Sequence, residues 1–303
     1  MNNLKKTVGL FVGVTTLDIQ YRIDGFPSPN TKHYADEWGT FVGGPATNAA
    51  TVFSHLGGTS KLYTGVGNNP FTARIAEDFH NSKIQWEDIF HQQSTTPPIA
   101  SIFTNRHNGD RTIVTYLPDK TTVDPGLLNL EFLEEAHILM ADGFFLDVAI
   151  PLAHKAREKN IPVVFDGGSW KPGLENLIRL TDIAIVSERF LSPNSAVNQD
   201  VIASLHDWGC TKVAVTRGEK PIIVSEGNGR FELAVEPIHA VDTLAAGDFF
   251  HGAFCYDYLK TDDFVASLKQ AAHIAGLSCQ SFGTRGWLQK LAHLEKSGSD
   301  GGQ

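Results

Sequence analysis

The stretch Val241-Asp-Thr-Leu-Ala-Ala-Gly-Asp-Phe-Phe-His-Gly-Ala-Phe254 decides the fold. An apolar, strand-like lead-in turns at small residues and runs into a helix. Apolar residues at 246, 249, 250, 253 and 254 recur at i, i+3, i+4, i+7 and i+8, the stripe of a helix packed on one face. Ala245, Ala246 and Gly247 are small enough for a ligand to approach the backbone. Their amides fall in the first turn, where donors have no internal partner and the helix dipole favours an anion. Asp248 stands just behind them. A carboxylate there is a poor device for holding an anion, but it fits a base that takes a proton from a hydroxyl attacking that anion. The simpler reading of the same residues is a helix N-capped by Asp242 or Thr243, with small residues for close packing.

The remainder of the chain favours the first reading. Val8 to Val14 is a short apolar run of buried-strand character, and Asp18 follows near its C-terminal end, where open α/β sheets place ligands. Ile19 to Ile23 and Lys32 to Phe41 alternate polar with apolar residues around the turn Phe26-Pro-Ser-Pro-Asn30, the pattern of an exposed hairpin. Next comes Gly43-Gly-Pro-Ala-Thr-Asn-Ala-Ala50. Pro45 suits a first helical position, and Gly57-Gly58 ends the helix. The double glycine lets a substrate approach the backbone, and Asn48, one turn in, both donates and accepts as sugar hydroxyls require. Read alone, Asn48 is a surface or packing asparagine.

Lys61 to Gly67 reads as a strand and Phe71 to His80 as a helix. Ile99 to Thr104 and Thr112 to Leu117 form a second hairpin-like pair across Asn108-Gly109, with Arg111 beside the turn. From Leu130 onward, strands at His137–Ala141, Pro162–Asp166, Ile183–Ser187 and Lys212–Thr216 alternate with helices at Val148–Lys159 and Val201–Trp208. A hairpin at Ile222–Glu226 and Arg230–Val235 and a late helix at Phe264–Ser278 complete the pattern. Regular βα alternation predicts a mostly parallel sheet covered by helices on both faces, with the two early hairpins inserted as a small lid.

Composition excludes other classes. The 303 residues are 42% apolar and 19% charged, ample for a large core, and the net charge of −9 leaves no basic footprint for nucleic acid or an anionic membrane. Cys210, Cys255 and Cys279 lack metal-ligand spacing and read as buried free thiols of a reducing compartment. No run approaches a membrane span and the apolar start lacks a cleavage site, so a cytoplasmic location is expected.

Gly43-Gly44 with Asn48, and Asp242-Thr-Leu-Ala-Ala-Gly-Asp248, resemble the two signatures of the PfkB (ribokinase-like) carbohydrate kinase family. Order, a separation of about two hundred residues and the strand-to-helix context all match. The resemblance runs from Val8 to about Trp287. The stretches VGVTTLDIQYRIDGFP, GDRTIVTY, DIAIVSERF and AAGDFFHGAF make it look closest to the ketohexokinase and sulfofructose kinase branch. It implies one ribokinase-like α/β domain over 1–296, with lid strands from about 19–42 and 99–117; the tail at 297–303, polar and glycine-rich, reads as disordered. The resemblance also implies ATP with Mg²⁺ and leaves room for a monovalent cation. The alternating lid strands, whose exposed edges a two-fold would protect, suggest a homodimer through the lid, with Trp38 and Phe41 at the interface or over the sugar.

Carried over by position, the resemblance makes Asp248 the base and the amides of Ala245, Ala246 and Gly247 the anion hole. Asp18, Gly43, Gly44 and Asn48 bind the sugar, and Arg111 reaches the substrate or a phosphate. Thr216, Gly218, Thr243, Gly247, Ala272, His273 and Gly276 fall on the nucleotide side, although His273 alone is an ordinary helix histidine. Metal ligands stay unassigned, because the family's asparagine and glutamate fall at Ser187 and Phe190, with Glu188 out of register. Ala245 replaces the usual glycine, a change that helical dihedrals tolerate. Only Gly218 of the ATP-side glycine pair is kept, the second being Pro221, and Pro45 replaces a sugar-binding asparagine of ketohexokinases. Phe144 stands where sulfofructose kinases use an arginine, which argues against a sulfonated sugar. The rival readings are a nucleoside or phosphosugar kinase of the same family, or a regulator that binds without turnover.

Overall fold

In the computed structural model of the chain, the described residues are 7–291 apart from 92, 119–122, 125, 127, 191–199, 228 and 290. The tail at 297–303 lies outside them.

The chain opens with β1 (Val8–Val12), then β2 (Thr16–Ile23) and β3 (Glu37–Gly43), which lead into α1 (Pro45–His55). β4 (Thr59–Thr64), α2 (Thr72–Asn81) and β5 (Ile84–Asp88) follow, then β6 (Ile99–Asn105) and β7 (Arg111–Tyr116). The βα run consists of α3 (Glu131–Glu134), β8 (Ile138–Ala141), α4 (Leu146–Glu158), β9 (Val163–Gly167), α5 (Leu174–Ile178), β10 (Ile183–Ser187), α6 (Val201–Asp207) and β11 (Lys212–Arg217). β12 (Lys220–Glu226), β13 (Gly229–Leu233), α7 (Ala246–Thr261) and α8 (Phe264–Ser278) end it.

Nine strands form the large sheet in the order β13-β12-β11-β10-β9-β8-β1-β4-β5, parallel except for β12 and β13 at one edge. Its central strands are buried on both faces, as a helix-covered parallel sheet requires. In β1, Leu10 and Val12 face the core shared with α4, α5 and α6, while Phe11 faces the core shared with α1, α7 and α8. The expected α/β architecture is therefore observed.

The small sheet has the order β3-β2-β6-β7. The expected hairpins are present as β2–β3 and β6–β7, and parallel pairing of β2 with β6 joins them into one sheet. Asp18 belongs to β2 of this sheet, paired opposite Phe41, and so reaches the site from the lid and not from the end of β1. β5, α3 and α5 have no counterpart in the sequence reading; all are short, and periodicity over four or five residues cannot distinguish helix from strand.

α7 departs from the one-faced stripe. Phe249 through Cys255 are buried without a break, because α1, α8 and the sheet surround the helix. Gly252 makes the α1 crossing possible: a Cβ there would lie 2.1 Å from the Ala49 carbonyl oxygen. The three cysteines are buried and unpaired, as expected. Among the described residues, no helix is long and apolar enough to cross a membrane.

Candidate active site

The α7 N-terminus is built without a side-chain cap. Asp242 does not serve as one: its Oδ1 accepts from Leu244 N–H at 3.0 Å, and its Oδ2 accepts from Gln20 Nε2 at 2.6 Å and Gly283 N–H at 2.8 Å. Thr243 is turned to the lid, donating through Oγ1 to the Gly109 carbonyl at 3.0 Å and accepting from Arg111 Nη1 at 2.6 Å. Both side chains offered by the simpler reading are thus engaged elsewhere.

Ala245 takes the N-cap position with φ 61° and ψ 8°. This corrects the expectation of helical dihedrals: alanine here occupies the left-handed region, where its Cβ crowds the following carbonyl at a cost of roughly 1–2 kcal/mol. The turn aims the first amides outward. Among the described residues, the N–H groups of Ala245, Gly247 and Asp248 have no backbone acceptor, while that of Ala246 has only a long contact of 3.4 Å to Thr243 O. Gly247 itself is exposed, and a Cβ on it would meet nothing within 4 Å, so the turn is uncovered at that residue. An anion can therefore lie against this turn.

Asp248 is half-buried in that first turn, and its Oδ2 accepts from Asn48 Nδ2 at 2.9 Å. Burial, reinforced by the charge of Asp166, pushes its pKa up to about 7; the Asn48 bond, His251 and Arg111 pull the other way. Asp166, at the C-terminal end of β9, is raised to about 8 by burial and then by Asp142. The charge of Asp166 is thus felt at Asp248, and a carboxyl group poised near neutrality suits a general base. Behind them, His251 lies between the first turn of α7 and β10, with Nδ1 2.7 Å from Gly247 O and Nε2 3.1 Å from Ile185 O; burial favours its neutral form, whose single N–H donates to one of the two carbonyls.

The acceptor side forms around α1. Gly44 has φ 99°, and a Cβ there would sit 2.1 Å from the Val14 carbonyl oxygen, so only glycine fits. The Asp18 carboxylate lies against Gly43, where an added Cβ would be 2.0 Å from Oδ2. Burial lifts its pKa to about 6 against the Thr16 hydroxyl bond and the Arg285 charge. Arg285 was missed by the sequence reading. Its Nη1 donates to Asn48 Oδ1 at 3.0 Å, its Nη2 to the Val42 carbonyl, and it pairs with Asp78 at 3.0 Å. Asp142, also missed, accepts from Val14 N–H at 2.9 Å, Ala46 N–H at 3.2 Å and Phe144 N–H at 2.9 Å, pinning the start of α1 to the end of β8.

Asp18, Gly43, Gly44, Asn48, Arg111, Thr243 and the turn at 245–248 thus converge. The residues expected on the nucleotide side lie on other elements. Thr216 is the residue before the last of β11, and Gly218 makes its turn to β12 with φ 65°. Ala272, His273 and Gly276 are on α8, facing the connection before α7: His273 is half-exposed, 3.4 Å from Glu236, and a Cβ on Gly276 would lie 3.5 Å from Ile238. At the expected metal-shell positions, Phe190 is buried against Phe165 and Trp170, and Glu188 pairs with Lys220 at 3.6 Å. Among the described residues, no three His, Cys, Asp or Glu side chains cluster as a metal site.

The sequence profile described as pfkB family carbohydrate kinase matches residues 9–291. A nucleoside kinase of Methanocaldococcus jannaschii is 25% identical over 261 residues, covering 83% of this chain and 83% of that protein. Mouse (Mus musculus) ketohexokinase is 24% identical over 288 residues, covering 89% and 95%. The crystal structure of a Thermotoga maritima ribokinase superposes with a TM-score of 0.74 at 20% identity, covering 95% of this chain and 99% of that one. Nucleoside kinase and ketohexokinase match at nearly equal identity, so the placement near the ketohexokinase and sulfofructose kinase branch is not established. With both signatures assembled around one open helix start, the chain belongs to the pfkB family of carbohydrate kinases, enzymes that transfer a phosphoryl group to an alcohol.

Proposed function

We propose that the protein transfers the γ-phosphate of ATP to a hydroxyl of a small carbohydrate, a ketose-type sugar being favoured by the lid and signature stretches. The observation that carries this reading is the pairing of a carboxylate near neutrality, Asp248, with an open set of helix-start amides at 245–247. Asp248 accepts the proton of the attacking hydroxyl, and the amides stabilise charge on the transferred group. Asp18, Gly43, Gly44 and Asn48 position the acceptor. Arg111, held by Thr243 at the rim, lies within electrostatic reach of Asp248 and faces the transferring phosphate. Thr216, Gly218, Ala272, His273 and Gly276 form the nucleotide side.

Asp166 and Asp248 would be the residues to hold a divalent cation brought by the nucleotide: Mg²⁺ bound with phosphates needs only one or two carboxylates, and its charge would offset the burial that raises both acids and the charge of Asp166 felt at Asp248. When bound, Mg²⁺ supplies charge neutralisation on the phosphates. A monovalent cation fits less well beside this turn, since the buried Asp242 already accepts from three N–H groups. A homodimer through the lid is supported by β7, exposed along its length with Ile113, Val114 and Tyr116, and by Trp38, which is 66% exposed. Phe41 turns the other way, edge-on to Phe282 with ring centroids 6.5 Å apart.

The test is acceptor-dependent ADP release over ketoses, aldoses, nucleosides, sugar acids and sugar phosphates, with Asp248→Asn as control. Turnover that falls by about 10²–10⁴ in the variant supports the reading. Binding of ATP or a sugar with no turnover on any acceptor would instead make the protein a regulator.

A further inference from the structure

Resting on the kinase reading above, we propose that the acceptor carries an anionic group, and that Lys171 is the residue that pairs with it. Lys171 lies in the connection between β9 and α5, and its ammonium sits 4.1 Å from the centroid of the Phe144 ring. Phe144 is held by Asp142, the carboxylate that also binds Val14 and Ala46 at the start of α1. The ring, and the charge resting on it, thus belong to the wall that carries Gly43, Gly44 and Asn48.

The direction in which Lys171 leans assigns it to the acceptor and not to the nucleotide. In the sheet, β8 and β1 lie on one side of β9, while β10 and β11 lie on the other. Lys171 leaves the end of β9 and reaches back over the β8 loop. That is away from Thr216 and Gly218, at and just beyond the end of β11 on the proposed nucleotide side. Its charge is still felt at the floor of the site, where it favours the ionised forms of Asp142 and Asp166.

Lys171 is also uncommitted, which the other cations of the site are not. Arg285 is bound to Asp78, Asn48 and the Val42 carbonyl, and Arg111 donates to Thr243. Among the described residues, Lys171 has no carboxylate within the 4.0 Å of an ion pair. A half-buried ammonium braced on an aromatic face, with its N–H donors unspent, suits a carboxylate, sulfonate or phosphate at the end of the acceptor remote from the attacking hydroxyl. A neutral polyol gains little from such a group.

The experiment is steady-state kinetics of the full chain with MgATP and matched acceptors: neutral sugars, the corresponding sugar acids, sulfonated sugars and sugar phosphates. The expected result is a kcat/KM at least about 10-fold higher for one anionic class than for its neutral analogue. Lys171→Met, which keeps an apolar stem against Phe144, should raise KM for that acceptor by about 10- to 100-fold more than it raises KM for the neutral analogue, and leave the KM for ATP within about 2-fold. Lys171→Arg should retain most of the preference. A wild-type preference for neutral sugars with a silent Lys171→Met would overturn the proposal while leaving the kinase reading intact, the ammonium then being only a counter-charge to Asp142 and Asp166. A rise confined to the KM for ATP would overturn it in favour of a role at the triphosphate. If no acceptor is turned over, the kinase reading fails, and calorimetry decides the rest: anionic sugars that bind wild type and Lys171→Met equally, or neither, sink the assignment of Lys171.

Discussion

Asn48 Nδ2 donates to Asp248 Oδ2 at 2.9 Å, across a sequence separation of 200 residues. That bond works only if the Asn48 amide presents its nitrogen, and Arg285 sets the orientation by donating to Asn48 Oδ1 at 3.0 Å. A flipped amide would turn its oxygen on a carboxylate that must ionise to act. Arg285→Gln is therefore expected to lower kcat by about 10-fold and to move the acidic limb of the kcat/KM profile to higher pH, because the donor that favours ionised Asp248 is lost. Arg285→Lys, which keeps a donor and a charge, should recover part of both effects. An unshifted pH profile in Arg285→Gln, at whatever rate, would show that the arginine only supports packing around Asp78.

The buried acids make stability and activity depend on pH in opposite directions. Asp248 at about 7 and Asp166 at about 8 are raised in the folded state, so each contributes stability fully only below its unfolded value near 4, and that contribution is lost as pH rises through the folded value. The ligand-free protein should accordingly lose thermal stability between about pH 4 and pH 8, and little above that. In the upper part of that window, around pH 7, turnover should increase as Asp248 becomes a base. Asp248→Asn removes one of the charges; at pH 8.5 it should be more stable than wild type by about 1–3 kcal/mol, a difference that closes towards pH 4. Melting curves of the two proteins at these pH values provide the check, and equal melting temperatures throughout would mean that Asp248 is not strained by burial.

Ala245 offers a separate test of strain. With φ 61° it holds a conformation that glycine adopts freely, and no side chain caps the helix behind it. Ala245→Gly relieves roughly 1–2 kcal/mol of steric cost but gives back about 0.5–1 kcal/mol through the flexibility of the unfolded chain. A net stabilisation of up to about 1 kcal/mol is expected, with kcat unchanged or higher by a few-fold. Ala245→Val should do the reverse and lose most activity, since a β-branched residue in the left-handed region distorts the amides at 245–247. Chemical denaturation and kcat measure the two halves of the prediction.

Much of this architecture was legible in the sequence, for reasons that differ between elements. The parallel strands announced themselves because a sheet covered on both faces needs unbroken apolar runs such as Val8–Val12 and Ile183–Ser187. Gly44 and the start of α7 were legible because close backbone approach restricts the choice of residue. Arg285, Asp142 and Lys171 were not. Each acts through a partner far along the chain, as Arg285 does on Asn48 across 237 positions, and nothing in its local surroundings distinguishes it from a solvated charge. The conformation of Ala245 was misjudged because a small side chain tolerates both hands of the backbone in principle, and only the assembled turn selects one.

Gln20 joins the lid to the anion-binding turn. It lies fully buried on β2, and its Nε2 donates both to Thr104 on β6, at 2.8 Å, and to Asp242 Oδ2, at 2.6 Å. Asp242 in turn holds the amides of Leu244 and Gly283, so the lid sheet, the turn before α7 and the loop after α8 meet at one carboxylate. A second lid contact reinforces the first, because Thr243 N–H and Oγ1 both reach the Gly109 carbonyl, at 3.3 and 3.0 Å. Gln20→Met preserves volume but deprives a buried carboxylate of one donor, which should cost about 1–3 kcal/mol of stability. If the bond only stabilises, catalysis by the folded variant should be unchanged. If it sets the register between lid and turn, KM for the acceptor and kcat should worsen together by about 10-fold, because both the covering of the sugar and the aim of the amides depend on it. We expect the second outcome. Kinetics well below the variant's melting temperature, with Thr104→Val as a parallel probe that leaves the Asp242 bond intact, separates the two.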